Sequence, residues 1–161
     1  DEALPAGTAA LVVGGGFPEV YAEGLSANAP LRAEVARLAA SGAPVSAECA
    51  GLLYLCARLD GLPMCGVLPA SGRMTPRLTL GYRETAAATR SWMPTAPVTG
   101  HEFHRTTVEP DGGTPPAWQD GEGFVRDGVH ASYLHLHWAG VLGAAERFVT
   151  AAARVRVPAC A

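Results

Sequence analysis

A short strand, an abrupt turn and a helix are predicted by one stretch of the chain, Pro44-Val45-Ser46-Ala47-Glu48-Cys49-Ala50-Gly51-Leu52-Leu53-Tyr54-Leu55. Small residues flank Cys49, so a strained strand-to-helix turn can form there without side-chain clashes. Such a turn lifts the cysteine off the sheet toward solvent, and the helix N-terminus favours its thiolate. The pattern therefore indicates a nucleophile. The alternative is a small buried hydrophobe, as free cysteines commonly are.

Strands and helices alternate along the N-terminal part of the chain. The apolar run over residues 9–13 ends in Gly14-Gly15-Gly16, as expected for a buried parallel strand that enters a loop. Asn28 can cap a helix that ends at Gly42. The apolar stripes of this helix and of the one after Cys49 comprise Leu31, Val35 and Leu38, and Leu52, Leu55 and Leu59. This order predicts a three-layer α/β fold, in which helices flank a largely parallel central sheet, as in flavodoxin-like proteins.

The C-terminal part is predicted to hold more strands and a closing helix. Residues 77–83 and 97–108 read as extended, and residues 109–116 as a loop. Two further strands are expected near 123–126 and 131–137. A helix near 140–154 is predicted to bury Leu142, Ala145, Val149 and Ala152. No linker or repeat divides residues 1–161, which we interpret as a single domain.

Composition limits the classes of function. A hydrophobic content of 48% and a charged content of 17% argue against disorder, and a net charge of −3 argues against nucleic acid as a partner. No apolar run reaches membrane-spanning length. The four cysteines show neither metal-ligand spacing nor a dense disulfide pattern, so we expect a cytoplasmic protein.

The chain contains no lysine, because all twelve basic residues are arginines. A Walker-type phosphate loop requires a lysine after its glycines, and Schiff-base chemistry requires one as well. Gly14-Gly15-Gly16 is therefore not an ATP-binding loop of that kind. Instead, the N–H groups of Gly15 and Gly16, with that of Ala50, are candidate donors to an oxyanion or substrate. A tight turn without a ligand is the alternative.

Two histidines in Ser132-Tyr133-Leu134-His135-Leu136-His137 supply a candidate base. On a strand, residues two apart share a face, so both rings could line one pocket. His135 could accept the Cys49 proton and return it to a leaving group. Zinc binding, with the nearby histidines 101 and 104, and a structural histidine pair are the alternatives.

The stretch Gly100-His101-Glu102-Phe103-His104 places polar and aromatic groups in an extended segment. Glu102 and His104 are candidate substrate-binding residues. The same stretch could instead form an interdomain surface or a solvated strand edge.

Six motifs in this order resemble one family. They are Gly14-Gly15-Gly16-Phe17-Pro18-Glu19, Leu25-Ser26-Ala27-Asn28, Ala47-Glu48-Cys49-Ala50-Gly51-Leu52, Leu80-Gly81-Tyr82-Arg83, Gly100-His101-Glu102-Phe103-His104 and Ala131-Ser132-Tyr133-Leu134-His135-Leu136-His137. Together they resemble the glutamine amidotransferase domains of cobyrinic and hydrogenobyrinic acid a,c-diamide synthases. Each motif is weak by itself, but six in order across nearly the whole chain are specific.

The resemblance implies a class I glutamine amidotransferase-like fold and hydrolysis of glutamine through a γ-glutamyl thioester on Cys49. It implies that His135 is the general base. Most class I domains carry a glutamate two residues after this histidine, whereas His137 stands at that position here. A Cys–His dyad is thus expected, with His137 as a possible orienting residue. Leu53 replaces a glutamine that helps to hold the substrate in many relatives, so other groups must bind glutamine here.

The resemblance also implies partners outside this chain. Members of the family combine the amidotransferase with an N-terminal ATP- and corrinoid-binding synthetase domain, which residues 1–161 do not include. The chain would supply ammonia for ATP-dependent amidation of the a and c carboxylates of cobyrinic or hydrogenobyrinic acid in cobalamin biosynthesis. We expect no metal or cofactor in this chain, ATP and Mg²⁺ in the synthetase domain, and a possible homodimer of the full enzyme. The alternative functions are another cysteine-elbow α/β hydrolase and a non-catalytic regulatory or interaction module.

Overall fold

A computed structural model describes residues 3–89 and 91–155, and these contain four α-helices, one 3-10 helix and eight strands. The helices are α1 (Pro18–Ala27), α2 (Ala29–Ala40), α3 (Ala50–Leu55), α4 (Ala144–Ala152) and the 3-10 helix (Trp138–Gly140). The strands are β1 (Leu11–Val13), β2 (Val45–Glu48), β3 (Cys56–Leu59), β4 (Leu62–Pro63), β5 (Leu68–Thr85), β6 (Val98–Glu109), β7 (Phe124–Arg126) and β8 (Val129–Ser132). No helix among the described residues is long and apolar enough to span a bilayer.

The first sheet has the strand order β1-β2-β8-β7. Strands β1, β2 and β8 are parallel, with Val13 opposite Ala47 and Ala47 opposite Ala131, whereas β7 runs antiparallel to β8. Parallel strands end at a common edge of a sheet, where open α/β sheets bind their ligands. The glycine loop, Cys49 and the segment after Ser132 therefore begin at one edge.

Helices cover both faces of this sheet. Val35 of α2 packs in one core cluster with Val45 and Val129, and Phe148 of α4 packs in a second cluster with Trp118 and Leu134. Phe124 belongs to the first cluster and its neighbour Val125 contacts the second, as the alternation of side chains across a strand requires. The predicted α/β fold, with a largely parallel sheet between helices, is confirmed.

A second sheet with the order β4-β3-β5-β6 lies beside the first and was not predicted as such. Its main component is the long antiparallel ladder of β5 and β6, which contains the extended segments predicted over 77–83 and 97–108. An isolated bridge between His101 and His135 connects β6 to the segment that follows β8. The ladder therefore reaches the ligand-binding edge of the first sheet.

The capping prediction for α2 is confirmed. The Asn28 side chain accepts a hydrogen bond from the N–H of Leu31 at 3.2 Å, and the helix ends at Ala40. Gly42 then adopts a left-handed conformation with φ 79°, which glycine reaches without steric cost.

The predicted helix through Leu59 is wrong, because α3 ends at Leu55 and Leu59 lies in β3. Leu52, Leu55 and Leu59 are all buried, so the apolar spacing correctly identified core positions. A short, wholly buried apolar run does not distinguish a helix from a strand, and here the chain becomes extended at Cys56.

The buried face of the closing helix was also predicted wrongly. Helix α4 begins only at Ala144, while Leu142 is 90% exposed and Val149 is 65% exposed. The buried residues are Ala144 and Phe148. The Phe148 ring packs edge-on against Trp92 with 4.9 Å between ring centroids, and this large aromatic contact determines which face turns inward.

Candidate active site

Cys49 occupies the predicted strained turn between β2 and α3. Its backbone has φ 51° and ψ −102°, a conformation that non-glycine residues rarely adopt. The Cys49 N–H donates to the carbonyl oxygen of Ser132 at 2.8 Å, which ties the turn to β8. At position 51 a Cβ atom would collide with the backbone carbonyl of Val13, so glycine is required there. The elbow geometry predicted from the small flanking residues is confirmed.

A pocket of about 520 Å³ opens beside the elbow. It is lined by Gly16, Phe17, Pro18, Glu19, Cys49, Leu53, Met74, Leu78, His101, Phe103, His104, Arg105, Thr106 and His135. The volume lies in the range typical of small-molecule sites. Of the predicted site residues, Gly16, Cys49, His104 and His135 line it, and Gly15, Ala50, Glu102 and His137 do not. Cys49 is only 5% exposed, so its side chain faces the pocket rather than open solvent.

Two opposing influences act on the Cys49 thiol. Burial raises its pKa, while the backbone N–H groups of Ala50 and Gly16 donate to the sulfur and lower it, and the carboxylates of Glu19 and Glu48 raise it further. The N–H groups at the elbow favour the thiolate, as predicted, but burial outweighs them and the pKa is raised on balance. The physical reason is desolvation, which penalises the charged form more than two N–H groups compensate. A base is therefore required to remove the proton.

His135 lies in the segment after β8 and is held from two sides. The backbone N–H of His135 donates to the backbone carbonyl of His101 at 2.9 Å, and the backbone N–H of His101 donates to the carbonyl of His135 at 3.1 Å. The two imidazole rings stack with 4.8 Å between centroids. On the glycine loop, a Cβ at Gly15 would fall on Cε1 of the His135 ring. Gly15 thus provides space for this ring, a role that the sequence did not indicate.

The protonation state of His135 suits a base. Burial lowers its pKa, and the neighbouring His101 and His104 lower it further. A lowered pKa keeps the imidazole neutral near neutral pH, and only a neutral ring can accept the thiol proton.

Glu48, directly before Cys49, is a neighbour of the His135 ring that the sequence interpretation missed. Its Oε2 lies 3.9 Å from Nδ1 of His135. Burial raises the Glu48 pKa, and hydrogen bonds from the Trp138 side chain and the Leu136 backbone lower it. The available signal was an acidic residue at the end of an otherwise buried strand, because an ionised side chain in such a place usually has a partner.

His137 does not share the pocket with His135. The strand predicted over 131–137 ends at Ser132, so the two-residue periodicity of a strand does not apply beyond it. His137 is exposed and precedes the 3-10 helix as its N-cap. The prediction that both rings line one pocket is therefore wrong.

The two polar candidates on β6 have different surroundings. The His104 ring stacks on Tyr133 with 3.7 Å between centroids, and its Nδ1 lies 2.9 Å from the Thr106 carbonyl oxygen. Its Nε2 is buried and has no hydrogen-bond partner within the described part of the chain, and burial lowers the pKa of the ring. Glu102 instead forms an ion pair with Arg83 at 3.1 Å and does not line the pocket.

A buried polar network supports the segment that carries His135. Glu122 accepts hydrogen bonds from the Ser132 hydroxyl at 2.6 Å and from the Tyr133 N–H at 2.9 Å. The Ser132 oxygen in turn accepts from the Trp118 indole at 2.7 Å and from the Leu134 N–H at 2.8 Å. Burial raises the Glu122 pKa to about 7. The sequence carried no local signal for this network, whose members come from separate segments.

Metal binding was an alternative for the histidines. Within residues 3–89 and 91–155, no group of three or more histidine, cysteine, aspartate or glutamate side chains is arranged to hold a metal ion.

Comparison with known proteins agrees with this geometry. The family model of the CobB/CobQ-like glutamine amidotransferase domain matches residues 1–141. The chain is 63% identical to the hydrogenobyrinate a,c-diamide synthase of Streptomyces coelicolor, covering 92% of this chain and 32% of that protein. It is 41% identical to the cobyrinate a,c-diamide synthase of a Synechococcus strain, covering 87% of this chain and 34% of that protein. The chain thus spans about a third of the length of these relatives.

Solved structures share the fold. A protein described as a putative GMP synthase subunit, from Thermoplasma acidophilum, matches with a TM-score of 0.59 and 16% identity, covering 91% of this chain and 74% of that one. A structure described as a glutamine amidotransferase matches with a TM-score of 0.58 and 19% identity, covering 91% of this chain and 80% of that one. The family model matches residues 1–141, and the elbow and the ordered motifs agree with it. The chain therefore belongs to the family of CobB/CobQ-like glutamine amidotransferase domains.

Proposed function

We propose that this chain hydrolyses glutamine and supplies the ammonia for ATP-dependent amidation of the a and c carboxylates of a corrin precursor in cobalamin biosynthesis. The observation that carries the proposal is the position of Cys49. The residue sits on a strained elbow with the N–H groups of Ala50 and Gly16 directed at its sulfur, and it shares one pocket with His135.

The first half of the reaction forms a thioester. His135 takes the Cys49 proton, and the sulfur attacks the carboxamide carbon of glutamine. The N–H groups of Gly16 and Ala50, which interact with the Cys49 sulfur, are the donors that would stabilise the negative charge developing on the amide oxygen. The protonated His135 then donates its proton to the leaving nitrogen, so that ammonia departs and a γ-glutamyl thioester remains on Cys49.

The second half regenerates the enzyme. His135, neutral again, removes a proton from water, which attacks the thioester carbon, and the Cys49 sulfur leaves with the proton that His135 returns. Glutamate is the product. The pocket walls are largely apolar, and they include one carboxylate and one guanidinium, from Glu19 and Arg105. These charges complement the α-ammonium and α-carboxylate of a free amino acid, which supports glutamine as the substrate.

The acceptor belongs to a partner outside this chain. We propose a synthetase domain that binds ATP, Mg²⁺ and the corrinoid and activates the carboxylates. The names and lengths of the relatives support this, since about two thirds of each lies outside the matched region. Hydrogenobyrinate is favoured over cobyrinate, because the relatives of that name reach 63% identity against 41% for the Synechococcus cobyrinate enzyme. We place the enzyme in the cytoplasm, because a reactive thiol persists in a reducing compartment. We also propose that the full enzyme is a homodimer.

An exposed apolar surface supports a docking position for the synthetase domain. This surface, the apolar rim, consists of Phe17, Val20, Tyr21, Leu80, Tyr82 and Phe103, which are 51–81% exposed. Leu80 pairs with Phe103 and Tyr82 pairs with His101 across β5 and β6, so these side chains share one face of the ladder. Phe17 and Phe103 also line the pocket, so a domain seated on the rim would cover its mouth and receive the ammonia.

Replacement of the nucleophile tests the division of labour. In the enzyme assembled with its synthetase domain, Cys49→Ala should abolish glutamine-dependent amidation and leave ammonia-dependent amidation near the wild-type rate. Cys65→Ala is the matched control, since this free cysteine is buried in the core cluster and does not line the pocket. Mass spectrometry of the protein treated with a glutamine-derived diazo-ketone should locate the label on Cys49.

Two outcomes would refute the proposal. A correctly folded Cys49→Ala enzyme that cannot use free ammonia would show that Cys49 serves the amidation step itself. A thiol hydrolase activity that shows no preference for glutamine would assign the pocket to another class of cysteine-elbow enzyme.

A further inference from the structure

Glu48 is the carboxylate that faces the ring of His135 from the sheet side. The distance from its Oε2 to Nδ1 of His135 is 3.9 Å, and the two side chains are only 18% and 21% exposed. Glu48 ends β2 and directly precedes Cys49, so the same strand that places the nucleophile also places this carboxylate. The contact spans from the end of one parallel strand to the segment after its neighbour β8.

The carboxylate is anchored to the segment that carries the base. Besides its approach to His135, it receives hydrogen bonds from the Leu136 backbone and the Trp138 side chain. The carboxylate thus lies against the segment 135–138, and Glu48 does not line the pocket. Glu48 has no access to the substrate, so it acts on the reaction through the charges it meets, which are the His135 ring and, by raising its pKa, the Cys49 thiol.

We propose that Glu48 is the positioning residue of the catalytic base, holding Nδ1 of His135 so that Nε2 is free to take the Cys49 proton. This inference deepens the proposed function and rests on it. The usual orienting carboxylate of a triad holds the base in one tautomer and stabilises the imidazolium that forms. In this chain the position two residues after the base is His137, which is exposed and outside the pocket, so the orienting group comes from the end of β2 instead.

Charge and proton balance follow directly. The Cys49 proton moves to Nε2 of His135, the Nδ1 proton stays on the ring on the side nearer Glu48, and Glu48 remains ionised throughout. The other titratable groups near the ring are His101 and His104 on β6, which lower its pKa, and Cys49 itself. Glu48 is the negatively charged group among these neighbours, so it stabilises the His135 imidazolium that forms when the thiol loses its proton.

The test uses Glu48→Gln in the assembled enzyme, with glutamine hydrolysis measured across pH. The kcat should fall between about 10- and 10³-fold, the range for losing an ion pair near 4 Å in a half-buried site. The KM for glutamine should change little, because Glu48 does not touch the substrate. Removal of the negative charge lowers the pKa of the His135 imidazolium, so the acidic limb of the kcat profile should move to lower pH. Ammonia-dependent amidation should remain at the wild-type rate.

Three further variants make the result decisive. Glu48→Asp keeps the charge but shortens the side chain, so the acidic limb should stay near its wild-type position while kcat falls less. Glu23→Gln removes an exposed carboxylate of α1 as a charge-matched control and should behave as wild type. His137→Ala tests the competing position and should cost less than Glu48→Gln.

A kcat loss in Glu48→Gln with an unmoved acidic limb would reduce Glu48 to a structural support of the segment 135–138 and overturn the inference. A larger loss in His137→Ala would overturn it as well. A wild-type enzyme without glutaminase activity would refute the proposed function instead, so the two failures are distinguishable.

Discussion

Gly15→Ala places a methyl group against His135, the proposed base. A Cβ at position 15 would fall on Cε1 of the His135 ring and lie 3.2 Å from its Nδ1 and 3.3 Å from its Nε2. Comfortable carbon contacts are about 3.5–4.0 Å, so the ring must move by roughly 1 Å. The methyl group would meet the Cε1 edge of the ring, and the ring cannot retreat freely from it, because the His135 backbone is hydrogen-bonded to His101.

The expected loss of activity follows from this displacement. A misplacement of about 1 Å at a reacting group can cost roughly 10²-fold in rate, and we expect a fall of that order in glutamine hydrolysis. Overpacking adds a stability cost of about 1 kcal/mol, at the low end of the usual range because the ring can partly yield toward the pocket. The Gly15 N–H is retained in alanine, so a large loss would show that Gly15 makes room for the base rather than acting only as a donor.

Gly14→Ala is the matched control. No heavy atom lies within 4 Å of a Cβ at position 14, and neither glycine has a positive φ that would strain an alanine. Both substitutions change the flexibility of the unfolded chain equally. Glutaminase rates and diazo-ketone labelling of Cys49 should therefore be near wild type in Gly14→Ala and strongly reduced in Gly15→Ala. Equal activity in the two variants would refute the assigned position of His135.

The remaining predictions concern the base, metal and stability. His135→Ala should slow thioester formation by roughly 10²–10⁴-fold, the usual contribution of a positioned base. In the same single-turnover assay, His137→Ala should retain a measurable fraction of the wild-type rate. A larger loss in His137→Ala would assign the base to His137 instead. Chelators should leave glutaminase activity unchanged, and activity lost with tightly held zinc would contradict the mechanism. Because burial raises the Glu122 pKa to about 7, the folded protein binds this proton more tightly than the unfolded chain. The contribution of Glu122 to the free energy of unfolding is therefore fully present below about pH 4.5. It decreases as the pH rises to about 7, by up to about 3 kcal/mol in total. Urea unfolding of Glu122→Gln should lack that part of the pH dependence, and identical profiles for both proteins would remove Glu122 as its source.

Local patterns determined the features whose causes are local. The elbow at Cys49 follows from small residues between a short strand and a helix, and the cap of α2 follows from a single side chain, Asn28. Six short motifs in order were sufficient to indicate the family. Steric and hydrogen-bonding preferences of neighbouring residues control each of these, so the sequence alone carries the information.

Local pattern failed where distant packing decides the outcome. Strand β8 ends at Ser132 because the Ser132 oxygen and the Glu122 carboxylate engage the N–H groups of Leu134 and Tyr133, which a longer strand would use in its ladder. The buried face of α4 is set by Phe148 against Trp92, a contact between distant segments. Neither partner can be read from the periodicity of the segment itself.

The sequence by itself indicated the groups to which we assign the chemistry, because Cys49 and His135 stand in recognisable local settings. Only the tertiary structure decided the pKa values of those groups and the space and charges around them. Burial in the pocket raises the pKa of Cys49 against the effect of the elbow, Gly15 yields space to the base, and Glu48 comes within 3.9 Å of His135. Desolvation and charge–charge attraction depend on distances through space, and these exist only once parallel strands bring their ends to one edge of the sheet.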